Sequence, residues 1–139
     1  MVNMKITDMT PGFKAALMAV LLALPLTMTG ASNSLDRSAE EVGTQIQAGS
    51  APLLLDVRSV QEFESGHVPG AINIPVQVLA DRLKDLEGRE AETLIVYCEA
   101  GPRARHARWL LHGAGFEYIG LMIGHMKRWR ALGLPTHKI

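Results

Sequence analysis

The sequence predicts an α/β fold, a parallel sheet with helices on both faces. Three observations predict it. Short apolar or β-branched runs at residues 53–57, 71–74, 93–97 and 118–122 alternate with stretches of helical spacing. The run Leu53-Leu54-Leu55-Asp56-Val57 is apolar on successive residues, which suits a strand covered on both faces. Glycine or proline (Gly49, Pro75, Gly88, Gly113, Gly133, Pro135) follows most of the segments and closes them.

Each element has its own local reason. Ser38-Ala39-Glu40-Glu41 reads as a capping box that starts a helix to about Gln47, and Ser59-Val60-Gln61-Glu62 reads as a second. Residues 66–70 (Gly-His-Val-Pro-Gly) are loop. Apolar residues at 76, 78, 79, 83 and 86 predict a helix ended by Gly88. Thr93-Leu94-Ile95-Val96-Tyr97 is the strongest strand of the chain and runs directly into Cys98. Pro102 stands where a first helical turn accepts proline, with a helix expected over 103–112. A last helix is expected over 126–132. Trp109 and Trp129 fall on these two helices and are expected in the core.

The 139 residues are 47% hydrophobic and 20% charged, values of a packed domain rather than of a disordered or fibrous chain. Formal net charge is zero, so nothing points to nucleic acid. The lone cysteine excludes an internal disulfide and an all-cysteine zinc site. His106, His112 and His137 show no metal spacing and are read as surface or core residues; no metal is expected. Residues 15–28 are uncharged and apolar apart from one Thr, and Thr29-Gly30-Ala31 follows with small residues. That pattern predicts a signal peptide over residues 1–31, cut near Ala31, the alternative being an uncleaved N-terminal anchor. The stretch is short for a membrane span, so no stable insertion is expected after cleavage. Residues 32–139 then form a single domain, with a monomer as the default. Charge is uneven within it: residues 32–97 hold 5 basic and 11 acidic side chains, and residues 98–139 hold 7 and 2. A basic half that begins at the cysteine suits a small anionic ligand or a plain solvated face.

Cys98-Glu99-Ala100-Gly101-Pro102-Arg103 lies between the best strand and a helix. Ligands of open parallel sheets bind at the carboxyl ends of strands. A short strand-to-helix loop turns backbone N–H groups inward and so favours an anion at its centre. Thiolate is the nucleophilic form of cysteine, which makes Cys98 the candidate nucleophile. Gly101 lets the loop curl, and Arg103 is placed to hold or close it.

Asp56-Val57-Arg58, Glu62-Phe63, Gly66-His67-Val68-Pro69-Gly70-Ala71 with Asn73 and Pro75, the loop 98–103, and Gly124, Trp129 and Gly133-Leu134-Pro135 follow one another in a specific order and spacing. Over residues 53–135 the sequence resembles the rhodanese family of sulfurtransferases. The resemblance implies a rhodanese-like fold with a central five-stranded, mainly parallel sheet flanked by helices on both faces. It implies that Cys98 takes a sulfane sulfur from a donor such as thiosulfate, carries it as a persulfide and yields it to cyanide or a thiol, with no cofactor. Glu99, Ala100, Gly101, Pro102 and Arg103 would form the active-site loop. Arg58 and Arg103 correspond to arginines near the family's pocket. Asp56, pairing with an arginine or pinning a loop, and His67, hydrogen-bonding its own loop, would be structural support. With the leader, the chain looks most like the small periplasmic single-domain rhodaneses. The alternative is a sulfane-sulfur carrier with weak thiosulfate activity.

A phosphatase of related fold is disfavoured, because such loops place one residue more between cysteine and arginine than the four here. A non-catalytic binding module typically lacks the cysteine. Two residues depart from the family pattern. Glu99 would repel an anionic donor if it pointed into the pocket, and is otherwise turned to solvent. His125 stands where a second glycine is common, near the pocket mouth; it is expected to be a tolerated surface substitution, the alternative being a residue that tunes substrate choice. Mass spectrometry of the expressed protein tests export: the expected product starts near Ser32, and an intact leader in membranes would mark the anchor instead.

Overall fold

Ser38 and Ser59 open their helices by the same reciprocal device. Ser38 Oγ accepts the Glu41 N–H at 3.1 Å while the Glu41 carboxylate accepts the Ser38 N–H at 2.7 Å; Ser59 and Glu62 repeat it at 3.2 and 3.0 Å. In the computed structural model, which describes residues 34–139, the elements run β1 (Arg37–Ser38), α1 (Ala39–Gln47), β2 (Leu53–Asp56), α2 (Val60–Ser65), β3 (Ile72–Asn73), β4 (Leu94–Tyr97), α3 (Pro102–Gly113), β5 (Ile119–Ile123) and α4 (His125–Ala131). The expected leader over residues 1–31 lies outside the described residues. Among the described residues no helix is long and apolar enough to cross a membrane.

The five strands form one sheet in the order β1-β5-β4-β2-β3, and every pair is parallel. Alternation along β2 and β4 divides the core into two layers. Leu55, Val57, Val96 and Cys98 pack with Ala104, Ala107 and Leu111 of α3. Leu54, Ile95 and Tyr97 face the other way, onto Val42 of α1 and Met126 and Trp129 of α4. Helices therefore cover both faces, and β4 at the centre is buried along its whole length.

Three features differ from the sequence expectations. The residue patterns indicate four strands; the fifth, β1, is two residues long and too short for any periodicity. It adds to β5 with Arg37 opposite Met122, and Gly120 permits the approach, since a Cβ there would run into the Leu35 carbonyl. Residues 76–86 are not an α-helix but two 3-10 segments, Val76–Val78 and Ala80–Leu86, with Arg82 outside helical geometry at φ −112°. Two β-branched valines in the first turn weaken helix propensity there. Trp109 is not core: it is 72% exposed, whereas Trp129 is 1% exposed and donates Nε1–H to the Pro135 carbonyl at 2.9 Å. The buried stripe of α3 is Ala104, Ala107 and Leu111, and Trp109, two residues past Ala107, points off it.

The carboxyl ends of β2, β3 and β4 lie side by side at one edge of the sheet, and the segment that starts α4 joins them there. Gly120→Ala should cost roughly 1–3 kcal/mol, because the added methyl has no free space. Gly113→Ala, on a helical residue with nothing near the added carbon, should be neutral or stabilising by up to about 1 kcal/mol. Thermal denaturation of the two variants checks this contrast.

Candidate active site

β4 ends at Tyr97 and α3 begins at Pro102, so four residues make the whole turn. Gly101 adopts φ +127°, a region that favours glycine. A Cβ there would also sit 2.9 Å from Arg105 Nη1 and 3.2 Å from His125 Nε2. The curl brings the Gly101 N–H onto Cys98 Sγ at 3.0 Å. Pro102 fills the first helical turn, and Gly101 O accepts the first intrahelical bond from the Arg105 N–H at 3.0 Å. Cys98 is 1% exposed; Gly101 is buried, and Ala100 and Pro102 form the exposed outer rim of the turn.

The start of α4 holds this turn from the other side. Met126 N–H donates to the Cys98 carbonyl and Lys127 N–H to the Glu99 carbonyl, each at 3.1 Å. Cys98 N–H donates to His125 Nδ1 at 3.3 Å. His125 is thus not the surface substitution expected from its position: it is 7% exposed, with its ring beside the loop. Burial first, and the nearby Arg105 cation second, hold its pKa below the ordinary 6.5.

Ion pairs frame the turn. Arg58 is 2% exposed and bonds the Asp56 carboxylate through Nε and Nη2, the latter at 2.7 Å, and also the Gly66 carbonyl at 2.8 Å. Asp56 additionally accepts the Arg58 N–H at 2.9 Å, and Asn73 bonds the carbonyls of both residues, so the turn after β2 is tied internally. Arg103 makes a two-pronged pair with Glu62 at 2.7 and 2.9 Å. Those bonds from Arg103 pull the Glu62 carboxyl down to about 2. Glu99 is not turned freely to solvent. Its carboxylate is hydrogen-bonded by Arg130 and lies 3.8 Å from Arg58 Nη1. Arg58 and Arg130 line a cavity of about 380 Å³ with Gly66, Met126, Thr136 and Lys138.

His67 donates Nδ1–H to the Phe63 carbonyl at 2.8 Å, stacks on the Phe63 ring at 3.6 Å, and pairs its backbone with His137. It braces the 66–70 loop and does not approach Cys98 by any hydrogen bond among the described residues. His106 lies exposed beside Trp109, and His112 Nδ1 bonds the Phe116 carbonyl at 3.0 Å. No group of three metal-ligating side chains occurs among the described residues. Sequence reasoning missed the ring of His125 as a loop contact, the Arg130–Glu99 pair and the Glu62–Arg103 pair. For His125 a signal existed, a bulky residue directly after Gly124 at a helix start. The partners of Glu62 and Glu99 lie 41 and 31 residues away and leave no local trace.

Comparison with known proteins agrees with this geometry. The rhodanese-like domain family model matches residues 38–132. The HTH-type transcriptional regulator Rv0324 of Mycobacterium tuberculosis is 43% identical over 85 residues, which are 60% of this chain and 36% of that protein. Thiosulfate sulfurtransferase 16, chloroplastic, of Arabidopsis thaliana is 34% identical over 92 residues, covering 59% of this chain and 77% of the relative. The crystal structure of the Alr3790 protein from Anabaena superposes with a TM-score of 0.67 at 30% identity, over 74% of this chain and 82% of that one. The chain spans between about a third and a half of the length of the first curated relatives it matches.

The Glu62–Arg103 pair has a stability signature. The folded-state pKa of Glu62 lies below its ordinary 4.5, so its contribution is present above pH 4.5 and is lost as pH falls toward about 2. Glu62→Gln should lower Tm by roughly 2–8 °C at neutral pH, the pair being a third exposed and screened. The gap between wild type and variant should close near pH 2 in a series of thermal melts.

Proposed function

The chain belongs to the rhodanese-like domain family, and from that premise we propose that it is a sulfurtransferase acting through a persulfide on Cys98. The observation that carries the reading is the Gly101 N–H aimed at Cys98 Sγ at 3.0 Å, at the carboxyl end of the central strand. A hydrogen bond from the backbone stabilises negative charge on that sulfur without a general base. The Cys98 thiolate attacks the sulfane sulfur of thiosulfate. The sulfur–sulfur bond of the donor breaks, sulfite leaves with the electron pair, and Cys98 holds a persulfide anion. Cyanide or a thiolate then attacks the outer sulfur, the persulfide bond breaks, and the Cys98 thiolate returns. Two successive displacements make the kinetics ping-pong. Arg103 acts on the loop through Glu62, and Arg58 through Asp56 and the cavity wall.

A second reading, a sulfur carrier loaded by another donor, is favoured by one observation. The Glu99 carboxylate lies between Arg58 and Arg130 and offsets the positive charge that an anionic donor would use. Glu99→Ala should then raise kcat/KM for thiosulfate roughly 2- to 5-fold. No change would remove the basis of the carrier reading. We also propose export to the periplasm, on the strength of the apolar segment over residues 15–28.

Sulfur transfer from thiosulfate to cyanide by the wild-type protein, with Cys98→Ser measured beside it, tests the main proposal. Turnover in the parent and none in a variant of unchanged Tm is the expected result. An active serine variant would overturn it.

A further inference from the structure

We propose that His125 is a positioning residue for Cys98: a neutral imidazole that latches the cysteine's peptide and releases it on protonation. The inference rests on the sulfur-transfer reading for its consequence in turnover, but its geometry stands independently. Both polar groups of the Cys98 backbone are bound by consecutive residues of one element, the N–H by the His125 ring and the C=O by the Met126 N–H. Lys127 adds a third bond, to the next carbonyl. The bonds from the Met126 and Lys127 N–H groups need no particular side chain, whereas the bond from the Cys98 N–H requires an acceptor at His125 Nδ1.

The backbone at this residue supports a role for the ring. His125 adopts φ +52° directly after Gly124 at φ +84°, and it is the only non-glycine residue with positive φ among the described residues. A side chain held in that region is strained relative to glycine. The strain coincides with a ring that is buried, accepts from Cys98 and lies against Gly101, the residue whose N–H reaches Cys98 Sγ. The one imidazole therefore touches both ends of the catalytic turn.

The latch has a defined protonation state. A backbone N–H only donates, so His125 Nδ1 must be unprotonated and the ring proton sits on Nε2. Protonation at Nδ1 would set two donors against each other at the Cys98 peptide. Two charged groups face the ring from other elements: Arg105 of α3, which opposes protonation, and Asp36, just before β1, which favours it. Asp36 is itself held by the Leu121 N–H and Arg108, so its influence is partly spent. The remaining neighbour is Cys98 itself, whose peptide the ring holds.

Asparagine is the informative substitution. Its side-chain carbonyl accepts a hydrogen bond near the position of Nδ1, it tolerates positive φ, and it does not titrate. The experiment follows sulfur transfer, and separately the rate of Cys98 alkylation by iodoacetamide, from about pH 4 to pH 8 in wild type, His125→Asn and His125→Gly. Wild type should show an ionisation below pH 6.5 that belongs to His125 and steepens the acid-side fall of log rate by one unit of limiting slope. His125→Asn should lack that ionisation and fall one unit of slope less steeply, while keeping its neutral-pH rate within about twofold. His125→Gly should also lose one ionisation and run about 3- to 10-fold slower at neutral pH, the worth of one hydrogen bond. Equal slopes in wild type and His125→Asn, or a glycine variant as fast as wild type, would overturn the proposal. Alkylation needs no sulfur transfer. Absent turnover with the alkylation profiles still differing would defeat the functional reading and leave the latch standing; normal turnover with identical profiles would do the reverse.

Discussion

Everything at the carboxyl edge of the sheet depends on how the turn from β4 to α3 is held. Four residues reverse the chain, and their polar groups must be satisfied at a place where one of them is nearly inaccessible. The first residues of α4 do this work, offering two backbone N–H groups that a helix start leaves unused and one imidazole nitrogen. Because β5 lies directly beside β4, the segment leaving β5 arrives at the correct height to make these bonds. The sheet order thus sets the site: a different neighbour for β4 would leave the Cys98 carbonyl without its partner.

The charges around the turn follow a second pattern, in which Glu62 and Glu99 each join two elements and Asp56 ties the turn after β2. Glu62 caps α2 and grips Arg103 at the start of α3. Asp56 ends β2 and holds both the backbone and the guanidinium of Arg58. Glu99 belongs to the turn and is tied to Arg130 of α4 and to Arg58. Loosening the Glu62 or the Glu99 pair frees two elements from each other, so these pairs act on the placement of the turn.

What could be read from the sequence was local. The two capping boxes are legible because serine and glutamate stand three residues apart and bond each other within a single turn. The central strand and the cysteine at its end are legible because residues 94–97 are apolar and the following Gly101 and Pro102 permit only a tight turn. The resemblance supplied the strand count that periodicity could not, since β1 has two residues and owes its place to the missing side chain of Gly120, more than eighty residues further on. Trp109 misled because helix position alone does not orient a residue; the stripe that α3 buries consists of two alanines and a leucine. The pairs Glu62–Arg103 and Glu99–Arg130 join distant segments, and only the folded chain brings them together.

His125 shows how a departure from a pattern becomes informative once its surroundings are known. In sequence it is one bulky residue after a glycine, and solvent is the natural place for such a side chain. In the fold the same backbone conformation that disfavours a side chain also aims it at the turn. Glycine there would relieve the strain and leave the Cys98 N–H to find water or distort. Histidine accepts the strain and supplies an acceptor, but only in its neutral form, and burial together with Arg105 favours that form. The substitution therefore exchanges backbone ease for a firmer cysteine at neutral pH, and makes that firmness sensitive to acid.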